Sequence, residues 1–467
     1  MIFNKISSED ILYFESILSF DRVLTGTDIH EDFLHDEMPE YGRFAPDVVL
    51  EPISTLEVSN IMQYANNRKL PVTPRGSGTG LCGGCVALYG GILLSLSKMN
   101  KILDLNKDAL TITVESGVLL SQLNEYLSTQ ELLYPPDPGE KTATVGGNAM
   151  TNAGGMRAVA LGVTRDYIKG IEVVLANGEI LMLGGETLKN SSGYSLMHLM
   201  IGSEGSLGVI TKLILKVLPL PKKFVSLLVP FDDINHCVCC VPSLLKTTPI
   251  TLEFAEKAVL LEAERYLGKP FPHSTAEAYL IVSYFGNSKE SLESILDTAA
   301  DICMEHGALD VFISDTDDRQ DGLWGSRGAF LEAIKSSTPS MDECDVVLRI
   351  DKVAPFVKFT KELEVAHQVR IRSFGHAGDG NLHIYVCKDN LDDDTWQRTV
   401  LAVMDALYAK AHEMGGLVSG EHGIGHAKRR YLAKSLGSVQ MRLMKNIKDT
   451  FDPVGIMNPG KVVSESA

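Results

Sequence analysis

A glycine-rich loop near the front of the chain constrains the fold more than any other feature. It reads Pro74-Arg-Gly-Ser-Gly-Thr-Gly-Leu-Cys-Gly-Gly84, and the apolar stretches at 70–74 and 86–96 predict a strand on each side. Glycine lets backbone N–H groups approach a pyrophosphate closely. The loop contains a formal G-x-G-x-x-G match, but a Rossmann fingerprint requires a helix directly after it. The sequence therefore predicts a cofactor loop between strands and argues against a Rossmann domain.

A second glycine cluster follows the proline-rich stretch at 135–140. It reads Thr144-Val-Gly-Gly-Asn-Ala-Met-Thr-Asn-Ala-Gly-Gly155. Small residues over such a length indicate that something flat or charged lies against the backbone there. A tightly packed structural turn is the alternative interpretation.

Histidines recur in two glycine-rich segments of the last third of the chain. The first reads Ser373-Phe-Gly-His-Ala-Gly-Asp-Gly-Asn-Leu-His383 and the second Gly420-Glu-His-Gly-Ile-Gly425. Two imidazoles seven residues apart and a Glu-His pair are the ligand and base types that a divalent cation needs for work on a hydroxyl group. A lone histidine is usually a core or surface residue, whereas this combination favours one metal site. Asp379 is a further candidate ligand, but its Gly-Asp-Gly setting favours a turn.

Composition narrows the class of protein. The 467 residues are a length typical of two or three domains, and the formal net charge of −17 disfavours nucleic acid as a partner. No apolar run is long enough to span a bilayer, and the first residues lack the pattern of a signal peptide. We therefore expect a cytoplasmic protein without a transmembrane segment, with attachment to a membrane through a partner left open.

Eight cysteines are scattered along the chain, and Cys82-Gly-Gly-Cys85 matches C-x-x-C. A redox pair and half of a zinc site are the alternatives to free thiols at this motif. Because no second pair follows at zinc or cluster spacing, the sequence favours free thiols and disfavours an iron–sulfur cluster within the chain.

Taken together, these segments give the chain a specific resemblance to one family. The motifs are Arg-Gly-x-Gly-Thr-Gly, Gly-Gly-Asn-x-x-Thr-Asn-Ala-Gly-Gly, Gly-Ser-Glu-Gly-x-Leu-Gly-x-Ile-Thr, Gly-His-x-Gly-Asp-Gly-Asn-Leu-His and Gly-Glu-His-Gly-x-Gly. Over nearly its whole length the chain resembles the flavin-linked D-2-hydroxy-acid dehydrogenases of the vanillyl-alcohol-oxidase, or PCMH, type. The resemblance implies an α+β fold, in which FAD lies between two α+β subdomains under an α+β cap domain and a C-terminal segment returns to the FAD domain.

On this basis we expect four parts along the chain. They are an N-terminal helical arm at 1–40, a PCMH-type FAD-binding domain at 41–221, a cap and substrate domain at 222–415, and a C-terminal segment at 416–467 that carries the Glu-His motif. The proline pair in Pro219-Leu-Pro221 marks the boundary between the second and third parts.

The resemblance also implies which residues bind FAD. The first glycine loop has no histidine to which FAD could be attached covalently, so we expect the cofactor to be held non-covalently. The implied contacts come from both glycine clusters, the proline-rich stretch, a strand and the C-terminal Asn-Pro-Gly-Lys tail: Arg75, Gly76, Ser77, Gly78, Thr79, Gly80, Gly83, Pro136, Asp137, Gly139, Thr144, Gly146, Gly147, Asn148, Thr151, Asn152, Gly154, Gly155, Ile210 and Asn458.

One divalent metal ion is implied as well. Its ligands match His376, His383 and Glu421 of this chain. Imidazole and carboxylate ligands suit zinc, iron(II) and manganese about equally, so the sequence leaves the metal open.

The catalytic residues follow from the chemistry of a 2-hydroxy acid, which loses a hydride from C2 and a proton from its hydroxyl group. His422 is the expected general base, and Asn381 is expected to hydrogen-bond the substrate oxygen or a ligand. Arg327 matches the arginine that clamps the substrate carboxylate. Relatives often carry a second basic residue in a Val-Pro-Arg-Ser setting, which is missing here and leaves Arg349 or Lys352 as candidates.

We therefore expect FAD- and metal-dependent oxidation of a small D-2-hydroxy acid, with D-lactate to pyruvate first. Glycolate oxidation by a flavin subunit and D-2-hydroxyglutarate oxidation are the alternatives, and the latter needs a further cation for the distal carboxylate. The hydride would go to flavin N5. The expected acceptor of the electrons is a protein, either an electron-transfer flavoprotein, which allows bifurcation to NAD and ferredoxin, or an iron–sulfur subunit.

Two other classes stay open. A flavin enzyme acting on an ether lipid or an aromatic alcohol would have no use for the histidine cluster. A flavoprotein subunit that only relays electrons would bind FAD but would not be reduced by any hydroxy acid.

Overall fold

Short strands and helices alternate along the chain, which is described by a computed structural model over residues 3–271 and 275–463. The strands are β1 (Val23–Thr25), β2 (Val48–Leu50), β3 (Val72–Arg75), β4 (Ile92–Ser95), β5 (Ile102–Asn106), β6 (Thr111–Glu115), β7 (Leu132–Leu133), β8 (Ile168–Val174), β9 (Ile180–Gly184), β10 (Val209–Lys216), β11 (Leu218–Pro219), β12 (Lys223–Phe231), β13 (Thr251–Glu256), β14 (Ala278–Gly286), β15 (Phe312–Ser314), β16 (Met341–Val347), β17 (Arg370–His376) and β18 (Asn381–Cys387).

The helices often begin at a side-chain cap. Ser7 accepts a hydrogen bond from the backbone N–H of Asp10, and Ser54 accepts one from the N–H of Glu57, as their sequence settings predict. The α-helices are α1 (Ser8–Ile17), α2 (Thr55–Arg68), α3 (Leu120–Thr129), α4 (Val145–Thr151), α5 (Ala158–Leu161), α6 (Thr164–Tyr167), α7 (Leu196–Met200), α8 (Ile234–Leu244), α9 (Lys257–Leu267), α10 (Lys289–Glu305), α11 (Asp317–Gly328), α12 (Phe330–Ser336), α13 (Val353–His367), α14 (Asp393–Glu413) and α15 (Arg429–Phe451), which is kinked at Gly437.

The chain folds into two compact units. Within the described residues the first unit comprises 3–153, 163–220 and 421–463, and the second comprises 154–162, 221–271 and 275–420. Residues 416–420, predicted to belong to the C-terminal segment, lie in the second unit because Leu417 bridges to Val347 at the end of β16.

The first unit contains two sheets. In one, with strand order β1-β2-β4-β3, the last three strands are parallel and β1 is antiparallel to β2. The other is antiparallel, with order β5-β6-β10-β8-β9. The glycine loop after β3 leads to β4 and not to a helix, so the argument against a Rossmann domain is confirmed. Strands β8 and β9 pair across Asn177-Gly178, a dipeptide typical of tight hairpin turns.

The N-terminal segment combines α1 with short 3-10 helices and packs within the first unit. Its one α-helix within residues 3–40 is α1, and Val23–Thr25 pairs with β2 as an edge strand. Phe14 is fully buried in the same hydrophobic cluster as Val48 and Ile61. Apolar side chains at these spacings bury more surface by packing on the sheet than by extending from it.

The second unit is built on one seven-stranded antiparallel sheet with strand order β15-β12-β14-β13-β17-β18-β16. Strands β17 and β18 form a hairpin in which Phe374 pairs with His383 and His376 pairs with Asn381. Strand β13 lies beside β17, and β16 lies beside β18 at the edge of the sheet. The sheet therefore places four consecutive strands around the predicted histidine pair.

Asp10 on α1 ties the N-terminal helix to α2, and we predict that Asp10→Asn destabilises the protein. The buried carboxylate accepts hydrogen bonds from Ser7, Tyr64 and Arg68. Burial by itself raises its pKa, but these partners outweigh burial and lower the pKa from 3.8 to about 2. The loss at neutral pH should be about 2 kcal/mol.

The pH dependence of this effect has a definite sign. A lowered folded-state pKa stabilises the protein above the unfolded value, near pH 4, and the contribution is lost as the pH falls toward 2. The difference in thermal midpoint between wild type and Asp10→Asn should therefore be full at pH 7 and shrink below about pH 4. Glu9→Gln, an exposed acid on the same helix, is the control; equal losses in both variants would contradict the assignment.

Candidate functional site

The two histidines of the β17–β18 hairpin lie on one face of the sheet. Phe374 pairs with His383 and stands two residues before His376, so the alternation of a strand puts both imidazoles on the same side. Their Nε2 atoms are 3.5 Å apart and the rings are perpendicular. Asp379 accepts a hydrogen bond from the backbone N–H of Asn381 in the hairpin turn, which agrees with its interpretation as a turn-former.

Each imidazole faces a carboxylate on the neighbouring strand. The Nδ1 atom of His376 lies 2.7 Å from Oε1 of Glu253 on β13. The Nδ1 atom of His383 lies 3.7 Å from Oδ1 of Asp345, its cross-strand partner on β16, and 3.8 Å from Oε1 of Glu343. All five side chains are buried, and both Glu343 and Asp345 are fully inaccessible.

These carboxylate contacts bear on which ring nitrogen of a histidine carries the proton and which one could bind a metal ion. A carboxylate beside Nδ1 favours a proton on that nitrogen and leaves Nε2 as the lone-pair atom. For His376, whose Nδ1 lies at hydrogen-bonding distance from Glu253, the Nε2 atom is then the lone-pair atom, and it lies 3.5 Å from Nε2 of His383. A cation bound about 2.1 Å from each nitrogen in tetrahedral geometry would set them about 3.4 Å apart. The observed 3.5 Å therefore fits a pair of Nε2 ligands to one metal ion.

Arg327, on α11, lies beside the same cluster. Its Nε and Nη2 atoms are 2.8 and 2.6 Å from Oε2 of Glu253, and its guanidinium stacks over the ring of Phe374 with 4.8 Å to the centroid. Burial by itself raises the pKa of Glu253, but His376 and Arg327 outweigh burial and hold the pKa below its ordinary value. Glu253 is thus an ionised carboxylate that contacts both His376 and Arg327.

Asn381 and the segment before the Glu-His motif are held by Asp345. The Asn381 amide donates to Oδ1 of Asp345 at 2.7 Å, while the Ser419 hydroxyl and the Gly420 N–H donate to Oδ2 at 2.7 and 3.1 Å. A Cβ at Gly420 would lie 2.3 Å from the Asn381 amide, so only glycine fits there. The backbone is therefore fixed up to the residue that directly precedes Glu421.

Glu421 and His422 belong to the first unit, where the turn that follows them is anchored by Glu204. The carboxylate of Glu204 accepts the backbone N–H groups of Ile424 and Gly425, both at 2.7 Å. Cys82 lies on the other side of this turn: its thiol donates to the Gly423 carbonyl at 3.3 Å. Its own carbonyl lies only 1.8 Å from where a Cβ of Gly425 would be. The Glu-His segment is thus packed directly on the first glycine loop.

The predicted flavin-binding loops also meet within the first unit. The Ser77 hydroxyl donates to the Thr142 carbonyl at 2.6 Å, and a Cβ at Gly76 would collide with Thr144. Asn458 donates from its amide to the carbonyls of Gly84 and Glu204. The two glycine clusters, the Gly-Ser-Glu-Gly segment and the C-terminal tail therefore form one glycine-lined region.

An orphan polar atom in this region fits a bound cofactor. The amide nitrogen of Asn148, on α4, is buried and has no hydrogen-bond partner among the described residues. A buried unsatisfied donor is costly, so a ligand atom is the natural partner for it. Asn148 is one of the residues that the sequence assigns to FAD.

The other predicted FAD residues have diverse environments. Arg75 directs its guanidinium to the carbonyls of Asp32 and His35, so it shapes the glycine loop from behind. Ile210 is a buried residue of β10, and Asn152 caps α4 with a positive φ. Gly154 and Gly155 lie in the second unit. The remaining members are in the first unit: Gly78, Thr79, Gly80, Gly83, Pro136, Asp137, Gly139, Gly146, Gly147 and Thr151.

Neither candidate for a second basic residue joins the histidine pair in the second unit. Arg349 pairs with Asp351 and its side chain is 73% exposed. Lys352 also faces Asp351, at 3.7 Å, and is partly exposed.

The sequence analysis did not single out three carboxylates that hold the predicted site residues in place. Glu253 and Asp345 do so in the second unit, and Glu204 does so in the first. The available signal for Glu253 was a lone acid inside the strand Thr251-Leu-Glu-Phe-Ala, and for Glu204 its place in the Gly-Ser-Glu-Gly motif. A charged residue in a buried strand requires a partner, but nothing in the chain order says which one.

Comparison with protein families places both parts of the chain. Residues 46–184 match the FAD binding domain, and residues 220–462 match the C-terminal domain of FAD linked oxidases. The match to the first of these domains supports FAD as the cofactor.

Curated relatives match over nearly the full length. The chain is 50% identical to a D-lactate dehydrogenase of Anaerostipes hadrus, with 98% of both chains covered. It is 36% identical to the glycolate oxidase subunit GlcD of Bacillus subtilis, covering 93% of this chain and 92% of that one. A D-2-hydroxyglutarate dehydrogenase of Xanthomonas citri is 36% identical over 89% of each chain.

Solved structures support the predicted fold. p-Cresol methylhydroxylase superposes with a TM-score of 0.81 at 19% identity, covering 98% of this chain and 97% of the other. 4-Ethylphenol oxidase from Gulosibacter chungangensis gives 0.76 at 19% identity over 99% of each chain. The predicted α+β fold of the PCMH type is confirmed.

Across residues 3–271 and 275–463, no helix combines the length and apolarity needed to cross a bilayer. With both family domains and full-length relatives in place, the chain belongs to the FAD-linked oxidoreductases related to D-lactate dehydrogenase, glycolate oxidase and D-2-hydroxyglutarate dehydrogenase.

Proposed function

We propose that this enzyme oxidises a small D-2-hydroxy acid, D-lactate to pyruvate in the first place, with FAD and one divalent metal ion. The observation that carries the proposal is the histidine pair, whose Nε2 atoms face each other at 3.5 Å while carboxylates lie behind both rings. The names of the relatives support the substrate class, because the D-lactate dehydrogenase of Anaerostipes hadrus is 50% identical over the full length.

Charge balance supports a divalent cation. Three buried carboxylates, Glu253, Glu343 and Asp345, surround the histidine pair in the second unit together with the buried guanidinium of Arg327. With the three carboxylates ionised, these four side chains carry a net negative charge, which favours a cation beside them. A divalent ion held by His376 and His383 would supply such a positive charge.

When bound, FAD takes up the hydride from C2 and the metal ion polarises the substrate hydroxyl group. His376 and His383 offer Nε2 as ligand atoms, and Glu421 is proposed as the third ligand on the strength of its motif and its place directly after Gly420. His422 is proposed to accept the hydroxyl proton at a ring nitrogen, since an imidazole has a pKa suited to a general base.

Arg327 is proposed to bind the substrate carboxylate. An arginine has five N–H donors, so the contacts from Nε and Nη2 to Glu253 leave donors for a second carboxylate. Asn381 holds its amide on Asp345, and we propose that it keeps the hairpin turn in place next to the bound hydroxyl group. A protein acceptor of the electrons and a cytoplasmic location stay predictions of the sequence.

Anaerobic addition of D-lactate should bleach the flavin absorbance of the wild-type enzyme, because hydride transfer reduces the cofactor. His422→Ala should keep FAD bound but show no such bleaching, since the proton then has no acceptor. Glycolate and D-2-hydroxyglutarate, added in parallel, rank the alternatives. No reduction by any hydroxy acid would favour an electron-relay subunit, and normal turnover of His422→Ala would remove His422 as the base.

His376→Ala and His383→Ala should each lose the metal ion, because a single remaining imidazole holds it poorly. Metal content is measured by elemental analysis of the purified holoenzyme, alongside the effect of a chelator on D-lactate-dependent bleaching. His412→Ala, an exposed histidine of α14, is the matched control. Full metal content in either site variant would refute the ligand assignment.

Arg327→Met should raise the KM for D-lactate and lower kcat/KM by roughly 10- to 150-fold, which corresponds to the loss of a charge-assisted hydrogen bond. Arg319→Met is the matched control, since Arg319 lies on the same helix with a 64% exposed side chain. An unchanged kcat/KM in Arg327→Met would mean that another cation binds the substrate carboxylate.

A further inference from the structure

Glu253 contacts both the proposed metal ligand His376 and the proposed substrate cation Arg327 in the second unit. It stands at the centre of β13, opposite the end of β17, and only 1% of its side chain is accessible. Its two oxygens are divided between its partners: Oε1 is 2.7 Å from Nδ1 of His376, and Oε2 is 2.6 Å from Nη2 of Arg327.

We propose that Glu253 is a positioning residue that couples metal binding to substrate binding through these two contacts. The proposal rests on the proposed function and adds a role that neither the motifs nor the family matches assign. Glu253 touches neither substrate nor metal in this scheme. It acts by setting the protonation of one ligand and the orientation of one cation.

The first half of the role concerns the imidazole. His376 can bind a metal through Nε2 only when its proton is on Nδ1, and a carboxylate at 2.7 Å holds the proton there. The carboxylates nearest His383 are a full ångström farther from its Nδ1 atom, at 3.7 and 3.8 Å. His376 is therefore the more firmly oriented of the two ligands, and its tautomer depends on Glu253.

The second half concerns the guanidinium. Nε and Nη2 of Arg327 both lie within hydrogen-bonding distance of Oε2, and Phe374 supports the plane of the guanidinium from one side. These contacts fix which edge of the guanidinium stays available. Because the carboxylate also balances the charge of Arg327, the cation remains buried without repelling a metal ion held by the neighbouring imidazole.

Replacing Glu253 with glutamine should affect its contacts with His376 and with Arg327 differently. An amide has one acceptor oxygen, whereas His376 and Arg327 both need an acceptor. The charged guanidinium, with two donors in place, takes the oxygen, and the amide NH2 group then faces Nδ1 of His376. A donor facing Nδ1 favours the tautomer with a proton on Nε2, which cannot bind a metal.

Removing Arg327 should reverse this defect. In the double variant Glu253→Gln, Arg327→Met, the amide oxygen has no guanidinium to bind and is free to accept the Nδ1 proton of His376. Metal affinity should then recover even though substrate binding does not. A residue that only supports the fold would instead give additive losses.

The test measures the dissociation constant for Zn²⁺ on the FAD-loaded, metal-stripped enzyme by competition with a chromogenic chelator, which needs no turnover. Glu253→Gln should bind Zn²⁺ about 10- to 100-fold more weakly than wild type, and the double variant should regain most of that loss. Glu256→Gln is the matched control: it makes the same change on the same strand, but Glu256 is buried against Lys361 and the Ser373 N–H, away from the histidine pair. Its Zn²⁺ affinity should match wild type.

The outcomes separate this inference from the function on which it rests. Wild-type affinity in Glu253→Gln, or a double variant no better than the single one, would overturn the role of Glu253. Failure of the wild-type enzyme itself to bind Zn²⁺ would instead count against the proposed metal site. If Glu253→Gln does not fold, the double variant, which leaves no buried guanidinium uncompensated, is compared with Arg327→Met alone; a large loss of Zn²⁺ affinity between these two would refute the rescue.

Discussion

Cross-strand pairing of carboxylates with histidines is the interaction on which the candidate site depends. Antiparallel register sets Asp345 directly opposite His383 and brings Glu253 beside His376, so each imidazole has an acid behind it on the next strand. A sheet holds such pairs at a spacing set by its backbone and not by flexible loops. The same register that closes the core of the second unit therefore also orients both proposed ligand atoms, and a shift by one residue would turn one histidine to the opposite face.

Asp345 and one further carboxylate, Glu204, hold the two ends of the Glu-His segment, one within each unit. Asp345 binds Ser419 and Gly420 just before the segment, and Glu204 binds the N–H groups of Ile424 and Gly425 just after it. Burial raises the pKa of Glu204 above its ordinary value, and the two backbone donors offset part of that rise. Anchoring a short glycine-rich segment at both ends removes much of the conformational freedom that its glycines would otherwise carry.

Local features were predictable from the sequence because their causes are local. The cap at Ser54, the Asn177-Gly178 hairpin and the strand–loop–strand context of the first glycine cluster depend on neighbouring residues, and the structure has all three. The packing of the N-terminal segment is less local, because the burial of Phe14 beside Val48 and Ile61 depends on residues later in the chain. The role of Glu253 was invisible for the same reason: 123 residues separate it from His376, and only strand order brings them together.

The charges around Arg327 bear on which hydroxy acid this side chain could bind. Its guanidinium is already paired with Glu253, and in the described part of the second unit neither Arg349 nor Lys352 is buried beside the histidine pair. A monocarboxylate such as lactate needs one cation in addition to the metal, and Arg327 has donors left for it. A second, distal carboxylate would require another cation, since a buried charge without a partner is costly. Within the described part of this unit, Arg327 thus provides one buried cation for a substrate carboxylate, in line with the proposed oxidation of a monocarboxylate.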